Sequence, residues 1–141
     1  MIYDRVGKTL VRRHFYPSLI LHLAYLYETG KDPKTGRGLD QDYKAAAKWY
    51  QKAVDQGYAQ ALISLGHLYE SGHGVPKDLK KAVDLYYKAA QRGAAGANAE
   101  MARVYREGIY VKKDPEKARL WDDKFHSRRS KGKIIEGDGR I

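Results

Sequence analysis

The chain has 141 residues, enough for one domain, and 43% of them are hydrophobic, which excludes a compositionally disordered chain. It contains no cysteine, which excludes disulfides, thiol catalysis and cysteine zinc sites, and no run of about 18 apolar residues that would predict a transmembrane helix. The formal net charge is +10; residues 1–16 carry four basic and one acidic side chain, and residues 126–141 carry five basic and two acidic, so the body between them is nearly balanced.

The N-terminal segment Tyr3–His14 predicts a helix that caps one end of the fold, with an apolar stripe of Val6, Leu10 and Val11. Two arginines before the apolar run 19–21 resemble the start of a signal peptide, but His22 and Glu28 interrupt the apolar stretch and no small-residue cleavage site follows. We expect a cytoplasmic protein. The alternative is a periplasmic or secreted protein whose signal peptide is replaced by Met1.

An internal repeat is the strongest feature of the sequence. From the second copy to the third, the same residue types recur 36 positions apart, at Ala61/Ala97, Tyr69/Tyr105, Gly72/Gly108, Asp78/Asp114 and Ala82/Ala118. The first copy carries six extra residues between Gly30 and Gly38, so Tyr27 precedes Tyr69 by 42 positions. The insertion is rich in Lys, Asp, Pro and Gly, a composition typical of a loop. The three copies span about residues 19–57, 58–93 and 94–126, and a basic tail follows at 127–141.

Each copy predicts two helices that form a hairpin. In chain order the predicted helices are residues 17–29, 42–56, 59–71, 78–92, 95–107 and 114–126. An aspartate opens every second helix, where a short carboxylate accepts hydrogen bonds from free backbone N–H groups, at Asp42, Asp78 and Asp114. Small side chains recur where neighbouring helices must approach closely, at Ala24/Gly66/Ala102 and Ala46/Ala82/Ala118. Each hairpin has apolar surface that it cannot bury alone, so the pattern predicts stacked hairpins.

The second copy carries the motifs of a known family. The stretch 61–90, with LGHLY at 65–69, GHGVPKD at 72–78 and YYKAA at 86–90, resembles one full Sel-one-like repeat (SLR), a relative of the tetratricopeptide repeat. The resemblance covers about residues 19–125. It implies an all-α fold, a right-handed α/α solenoid of about three helix-turn-helix repeats, whose first helices line a concave face that binds a partner.

The chain departs from the family pattern in its loops. The first copy has the insertion, and in the third copy Tyr110 replaces the second loop glycine, Gly74, so we expect that loop to differ in shape. Some family members cross-link each hairpin through paired cysteines. This chain has none, so its hairpins must be held by packing.

The resemblance places the binding residues between the core positions of the first helices. Aligned by the repeat offsets, these positions stack as Leu21/Ile63/Ala99, His22/Ser64/Glu100, Tyr25/His67/Arg103 and Glu28/Glu70/Arg106. The predicted groove is aromatic and aliphatic in the first repeat and cationic in the third. Its predicted occupant is a peptide or protein loop with acidic and apolar groups, since Tyr and Arg often anchor interfaces. The alternative for each residue is an ordinary exposed side chain.

The sequence gives no sign of catalysis, since no Ser-nucleophile, Walker or dinucleotide motif appears and the five histidines form no H-x-x-x-H pair. We therefore predict a monomeric, non-enzymatic protein without a cofactor or metal, whose partner is another protein or a peptide. The favoured function is an interaction module, either an adaptor or the cognate inhibitor of a bacterial effector.

Two alternative functions stay open. A nucleic-acid or acidic-surface binder would use the basic termini, but the near balance of the body and the acidic residues in the groove argue against nucleic acid. The second alternative is a small-molecule-binding or hydrolytic repeat protein. Hydrolysis would need a nucleophile and a base, and no such pair stands out in the sequence.

Overall fold

The computed structural model describes residues 17–31, 35, 36 and 38–134, with side chains described from 19 to 124 outside the same gaps. This part of the chain contains six α-helices and no strand: α1 Pro17–Thr29, α2 Tyr43–Asp55, α3 Gln60–Ser71, α4 Leu79–Gln91, α5 Ala97–Glu107 and α6 Pro115–Ile134. The first five agree with the predicted helices to within two residues at each end. None of these helices is both long and apolar enough to cross a membrane.

The two ends of the chain differ in what the structure describes. Helix α6 runs eight residues beyond its predicted end at His126, so residues 127–134 of the predicted basic tail are helical. The predicted N-terminal capping helix, Tyr3–His14, lies outside the described residues.

The predicted aspartate caps are confirmed at all three second helices. The side chain of Asp42 accepts a hydrogen bond from the N–H of Ala45 at 3.1 Å. The other two carboxylates accept from the N–H three residues on, Asp78 from Lys81 at 3.0 Å and Asp114 from Lys117 at 3.1 Å. Each cap occupies one of the backbone donors that the start of a helix leaves unpaired.

The helices form three hairpins, α1/α2, α3/α4 and α5/α6, and each second helix also packs against the first helix of the next hairpin. Side-chain contacts join α3 to α5 through Glu70 and Arg103, and α4 to α6 through Tyr87 and Trp121. The first helices therefore lie side by side and form what we call the first-helix face (α1, α3, α5). The second helices form the second-helix face (α2, α4, α6). The predicted right-handed α/α solenoid is confirmed.

Small residues let the helices approach closely, as the repeat pattern predicts. Ala24, Ala46 and Ala82 are each 0% exposed. A methyl group added at Gly66 would lie 2.6 Å from Cε1 of Tyr86, so the glycine allows this ring to pack directly on α3. Tyr86 is itself 0% exposed and is the largest fully buried side chain among the described residues.

The loops after α3 and α5 have the same backbone path. Three N–H groups of each loop donate to the end of the preceding helix, those of Gly72, His73 and Asp78 and, 36 positions later, those of Gly108, Ile109 and Asp114. Tyr110 has a φ of 65°, in the same left-handed region as Gly74 at 79°. The expectation that Tyr110 changes the shape of its loop is wrong, because the hydrogen bonds to the helix fix the backbone path.

We expect Tyr110→Gly to raise the free energy of unfolding by about 1 kcal/mol, because a left-handed backbone costs a residue with a Cβ about 1–2 kcal/mol. The tyrosine side chain is 56% exposed, so little packing is lost. Urea denaturation measures the change. Tyr110→Ala is the matched control, since alanine loses the same ring but keeps the strain. A glycine variant no more stable than the alanine variant would contradict the assignment.

A polar side chain lies in the core of the third repeat. Asn98 is 3% exposed, and within the described residues its Nδ2 has no hydrogen-bond partner. The equivalent positions in the other repeats hold Ile20 and Leu62, and Leu62 is 2% exposed. The third repeat therefore contains a buried unpaired donor where the others contain an apolar side chain.

We expect Asn98→Leu to raise the free energy of unfolding by about 1–2 kcal/mol, since a buried unpaired donor costs about 1–3 kcal/mol. Leucine branches at the same carbon as asparagine and has the same number of side-chain heavy atoms. The reciprocal variant Leu62→Asn should lower the stability. If denaturation shows that Asn98→Leu is less stable than the wild type, the amide has a favourable role that its unpaired donor does not indicate.

Candidate functional site

A contact between the two helices of a hairpin recurs in every repeat. In the first hairpin the hydroxyl of Tyr50 donates to Oε1 of Glu28 at 2.6 Å, and in the second the hydroxyl of Tyr86 donates to Oε1 of Glu70, also at 2.6 Å. The equivalent pair in the third hairpin is Arg106 and Asp122, joined by a hydrogen bond of 3.0 Å. The position of the contact is the same in all three hairpins, but a neutral tyrosine donates to the carboxylate in the first two and a charged arginine does so in the third.

The two tyrosines remain protonated donors at neutral pH. Burial raises the pKa of Tyr50 and of Tyr86, and the neighbouring glutamate in each hairpin raises it further. The hydroxyls therefore hold Glu28 and Glu70 in fixed positions, and neither carboxylate is free to move as an isolated surface side chain.

Four side chains of α3 and α5 form what we call the α3–α5 cluster: His67, Glu70, Glu100 and Arg103. Both terminal nitrogens of Arg103 donate to Glu70, at 3.1 and 2.7 Å, and its Nε donates to Glu100 at 3.0 Å. Nε2 of His67 lies 3.1 Å from Oε2 of Glu100. The cluster joins the second and third repeats across the first-helix face.

Hydrogen bonding sets the charge states within the cluster. The hydrogen bond from Arg103 lowers the pKa of Glu70, and the hydrogen bond with His67 lowers the pKa of Glu100, while burial opposes both shifts. The hydrogen bond to Glu100 raises the pKa of His67, again against burial. The two carboxylates are therefore ionised at neutral pH, and His67 is protonated to a greater extent than a free histidine.

The cluster lines an open depression of about 400 Å³ on the first-helix face, bounded by His67, Glu70, Ser71 and Arg103. The His67 side chain is 46% exposed and that of Arg103 is 28% exposed. A partner side chain can therefore reach these groups without any rearrangement of the helices.

The structure brings together three of the predicted site residues, His67, Glu70 and Arg103. His22 and Tyr25 are exposed on α1, as predicted, while Leu21, Glu28 and Ser64 are half-buried. Leu21 packs against the core, and Ser64 lies close enough to the Tyr50 hydroxyl to affect its pKa.

Ile63 was predicted to line the groove, and this is wrong. It is 8% exposed and belongs to the core. Helix α3 packs against both α2 and α4, so its accessible stripe is narrower than the stripe of the isolated helix and position 63 faces inward.

The prediction of a cationic groove in the third repeat is also wrong. Arg103 donates to three carboxylates, those of Glu70, Glu100 and Glu107, the last at 3.2 Å. Arg106 reaches across to Asp122 on α6. Both guanidinium groups are thus satisfied within the chain and do not present unpaired positive charge to a partner.

Tyr86, Ser71 and Glu107 were not predicted as site residues, and Glu100 was predicted to lie in the groove without a specific role. The spacing held a usable signal for Tyr86, since Tyr50 and Tyr86 are 36 positions apart and face the equivalent Glu28 and Glu70. Glu107 has no repeated counterpart, and its role depends on the path of the Arg103 side chain.

The cluster makes stability depend on pH in two directions. The pKa of His67 is raised above 6.5, so the stability that its protonation contributes is fully present below pH 6.5 and is lost as the pH rises through the raised value. The pKa values of Glu70 and Glu100 are lowered below 4.5, so their contribution is present above pH 4.5 and is lost as the pH falls through the lowered values. The cluster therefore stabilises the fold most between these two limits.

We expect His67→Gln to lose up to about 1 kcal/mol of unfolding free energy below pH 6.5, and to approach the wild type as the pH rises above the raised pKa. The groups that face His67 are Glu100 and Arg103 of α5, Glu70 of its own helix, and Tyr86 of α4. Urea denaturation of both proteins across this pH range measures the difference, and a difference that does not change with pH would contradict the protonated pair.

No group of three or more His, Asp and Glu in the described ranges is arranged to bind a metal ion. The cluster instead places two carboxylates around a guanidinium and an imidazole, which already act as their donors.

Comparison with known proteins identifies the repeat. The Sel1 repeat model matches residues 20–58, 59–93 and 95–121. A Sel1 repeat protein from Oxalobacter formigenes has a solved structure with 35% identity and a TM-score of 0.63, covering 74% of this chain and 41% of that one. The structure of c5321, a protective antigen of uropathogenic Escherichia coli strains with an SLR fold, has 33% identity and a TM-score of 0.69, covering 80% of this chain and 23% of that one.

This chain spans less than half the length of either solved protein. The search of curated protein sequences gave no match. The three matched repeats coincide with the three helical hairpins and account for most of the described residues. The chain belongs to the Sel1 repeat family.

Proposed function

We propose that the chain is a protein-binding module whose first-helix face holds a segment of a partner protein, and that it acts as an adaptor or as the cognate inhibitor of a bacterial effector. Sel1 repeat proteins are generally non-catalytic protein–protein interaction modules. The observation that carries the proposal is the open depression between α3 and α5, into which polar side chains of two repeats converge.

The first-helix face is suited to binding because its polar groups are already ordered. Arg103 is held by three carboxylates and Glu70 by the Tyr86 hydroxyl, so a partner meets side chains whose positions are fixed. Fixing side chains before association lowers the entropy cost of binding. Exposed Tyr25, 39% exposed on α1, adds the kind of aromatic residue that often anchors an interface.

The geometry of the cluster favours binding over hydrolysis. Ser71 is the hydroxyl that lines the depression, and its Oγ donates to the backbone oxygen of His67 at 2.9 Å. The Nε2 of His67 is directed at Glu100. A serine nucleophile needs a base that accepts its proton, and in this arrangement the hydroxyl and the imidazole have different partners.

Site-specific photo-crosslinking in the host cell tests the proposal. A benzophenone amino acid would be placed at Tyr25 and Ala99 on the first-helix face, with Gln51 and Tyr87 on the second-helix face as matched controls, all four being exposed. We expect one partner protein to be captured from the first-helix positions alone. Adducts that form equally well from Gln51 and Tyr87, or from those positions only, would remove the first-helix face from the account.

The identity of the captured protein separates the two roles. If deletion of the chain makes the captured partner toxic to the cell, the chain is an inhibitor. If deletion instead stops the partner from associating with a third protein, the chain is an adaptor.

A further inference from the structure

The charges of the described helices are divided unevenly between the two faces. The first helices carry four acidic side chains, Glu28, Glu70, Glu100 and Glu107, and two basic ones, Arg103 and Arg106. The second helices, counted to residue 124, carry nine basic and five acidic side chains. A chain with a net charge of +10 therefore has a first-helix face with an excess of two negative charges among its described residues.

The acidic excess lies around Arg103, where Glu107 adds a third carboxylate to the two of the α3–α5 cluster. Three carboxylates surround the single guanidinium of Arg103, and the donors of Arg103 are directed at these carboxylates rather than at solvent. A carboxylate offers about four lone-pair positions, so each can accept a further hydrogen bond from a partner. Glu107, whose side chain is 55% exposed, is the most accessible of the three.

We propose that the segment held by the first-helix face is basic, with a lysine or arginine side chain seated in the α3–α5 depression at Glu70, near Glu100 and Glu107, the other two carboxylates that hold Arg103. This inference rests on the proposed function, and it reverses the acidic occupant expected from the sequence. The raised pKa of His67 agrees with a negative potential at this place, since neighbouring carboxylates favour its charged form.

A matched pair of peptides tests the inference without knowledge of the natural partner. Both peptides alternate charged residues with alanine and tyrosine, and they differ only in carrying lysine or glutamate at the charged positions. Fluorescence anisotropy measures their binding to the full chain. The whole-chain charge of +10 attracts the glutamate peptide, so tighter binding of the lysine peptide requires a local negative site.

We expect the lysine peptide to bind more tightly than the glutamate peptide, and Glu107→Gln to weaken it by about threefold. The control Lys88→Gln changes an exposed charge of the second-helix face and should leave the binding of the lysine peptide unchanged or slightly stronger. Circular dichroism tests whether both variants keep the wild-type helix content, which we expect because both positions are exposed. Added salt should weaken the binding of the lysine peptide, because it screens the exposed charges on which that binding depends.

Tighter binding of the glutamate peptide would overturn the inference. So would a lysine peptide that does not bind, or whose affinity is unchanged by Glu107→Gln. The crosslinking experiment distinguishes this from failure of the proposed function. Capture of one partner from Tyr25 and Ala99 together with preference for the glutamate peptide would refute the basic segment and leave the first-helix face as the binding face.

Discussion

Tyr86→Ala is expected to lower the free energy of unfolding by about 3–5 kcal/mol, the range typical of removing a buried aromatic ring. Tyr86 is 0% exposed and packs against Gly66, where the three heavy atoms nearest to an added Cβ all belong to this ring. Its ring also contacts two members of the cluster, His67 edge-on at 5.4 Å between centroids and Arg103 at 6.0 Å. The substitution therefore opens a cavity in the second repeat and removes the support beneath the α3–α5 cluster.

Two conservative variants separate the ring from the hydroxyl. Tyr86→Phe keeps the packing and removes only the hydrogen bond to Glu70, so we expect a loss of about 1 kcal/mol. Tyr50→Phe removes the equivalent bond to Glu28 and should cost a similar amount. Urea or thermal denaturation measures all three variants. A loss below about 1.5 kcal/mol for Tyr86→Ala would show that the second and third repeats do not depend on this ring.

Gly74→Ala is expected to lower the free energy of unfolding by about 2–4 kcal/mol, combining left-handed strain with overpacking. Gly74 has a φ of 79°, and a Cβ at this position would collide with the backbone carbon and oxygen of Tyr43. The loop after α3 would have to move away from the start of α2. The stacked contact of Tyr43 with His73, at 4.4 Å between ring centroids, would be lost with it.

The control for this variant is Gly93→Ala, which has a left-handed φ of 77° but open space around the added Cβ. The difference between the two variants measures the collision with Tyr43 separately from the backbone strain. Equal losses at both positions would mean that the loop moves aside at no cost, and that its contact with α2 does not stabilise the first two repeats.

The sequence was sufficient for the architecture because a repeat specifies the backbone three times. The 36-residue spacing located the hairpins, and the aspartates placed the starts of α2, α4 and α6. Gly66 was identified as a small residue at a helix contact, and the structure shows which ring uses the space. These features depend on the local sequence and its period, and both can be read directly from the sequence.

The site was predicted less well because it depends on which side chains meet across helices. Arg103 and Arg106 were correctly placed on α5, but their carboxylate partners lie on α3, α5 and α6. Periodicity alone could not show that these partners neutralise both arginines. Ile63 has the spacing of an exposed stripe, and only the packing of α3 between two neighbours turns it into the core. The groove was therefore predicted to be cationic, whereas carboxylates pair with both arginines in the structure.

The third repeat combines the family pattern with its own chemistry. Asn98 replaces a core leucine, Tyr110 replaces a loop glycine, and Arg106 with Asp122 replaces the Glu–Tyr contact of the other two repeats. The first two of these changes should cost stability, because Asn98 buries an unpaired donor and Tyr110 holds a left-handed backbone. The α3–α5 cluster joins this repeat to the second through charge-assisted hydrogen bonds between Arg103 and Glu70.

The central claim is that the first-helix face, and not the second-helix face, holds the partner. Hydrogen–deuterium exchange of the chain, with and without the crosslink-identified partner, measures this directly. We predict slower exchange of α3 and α5 around the cluster, residues 63–71 and 99–107, with little change in α2 and α4. Protection confined to α2 and α4, with exchange of α3 and α5 unaltered, would contradict the account.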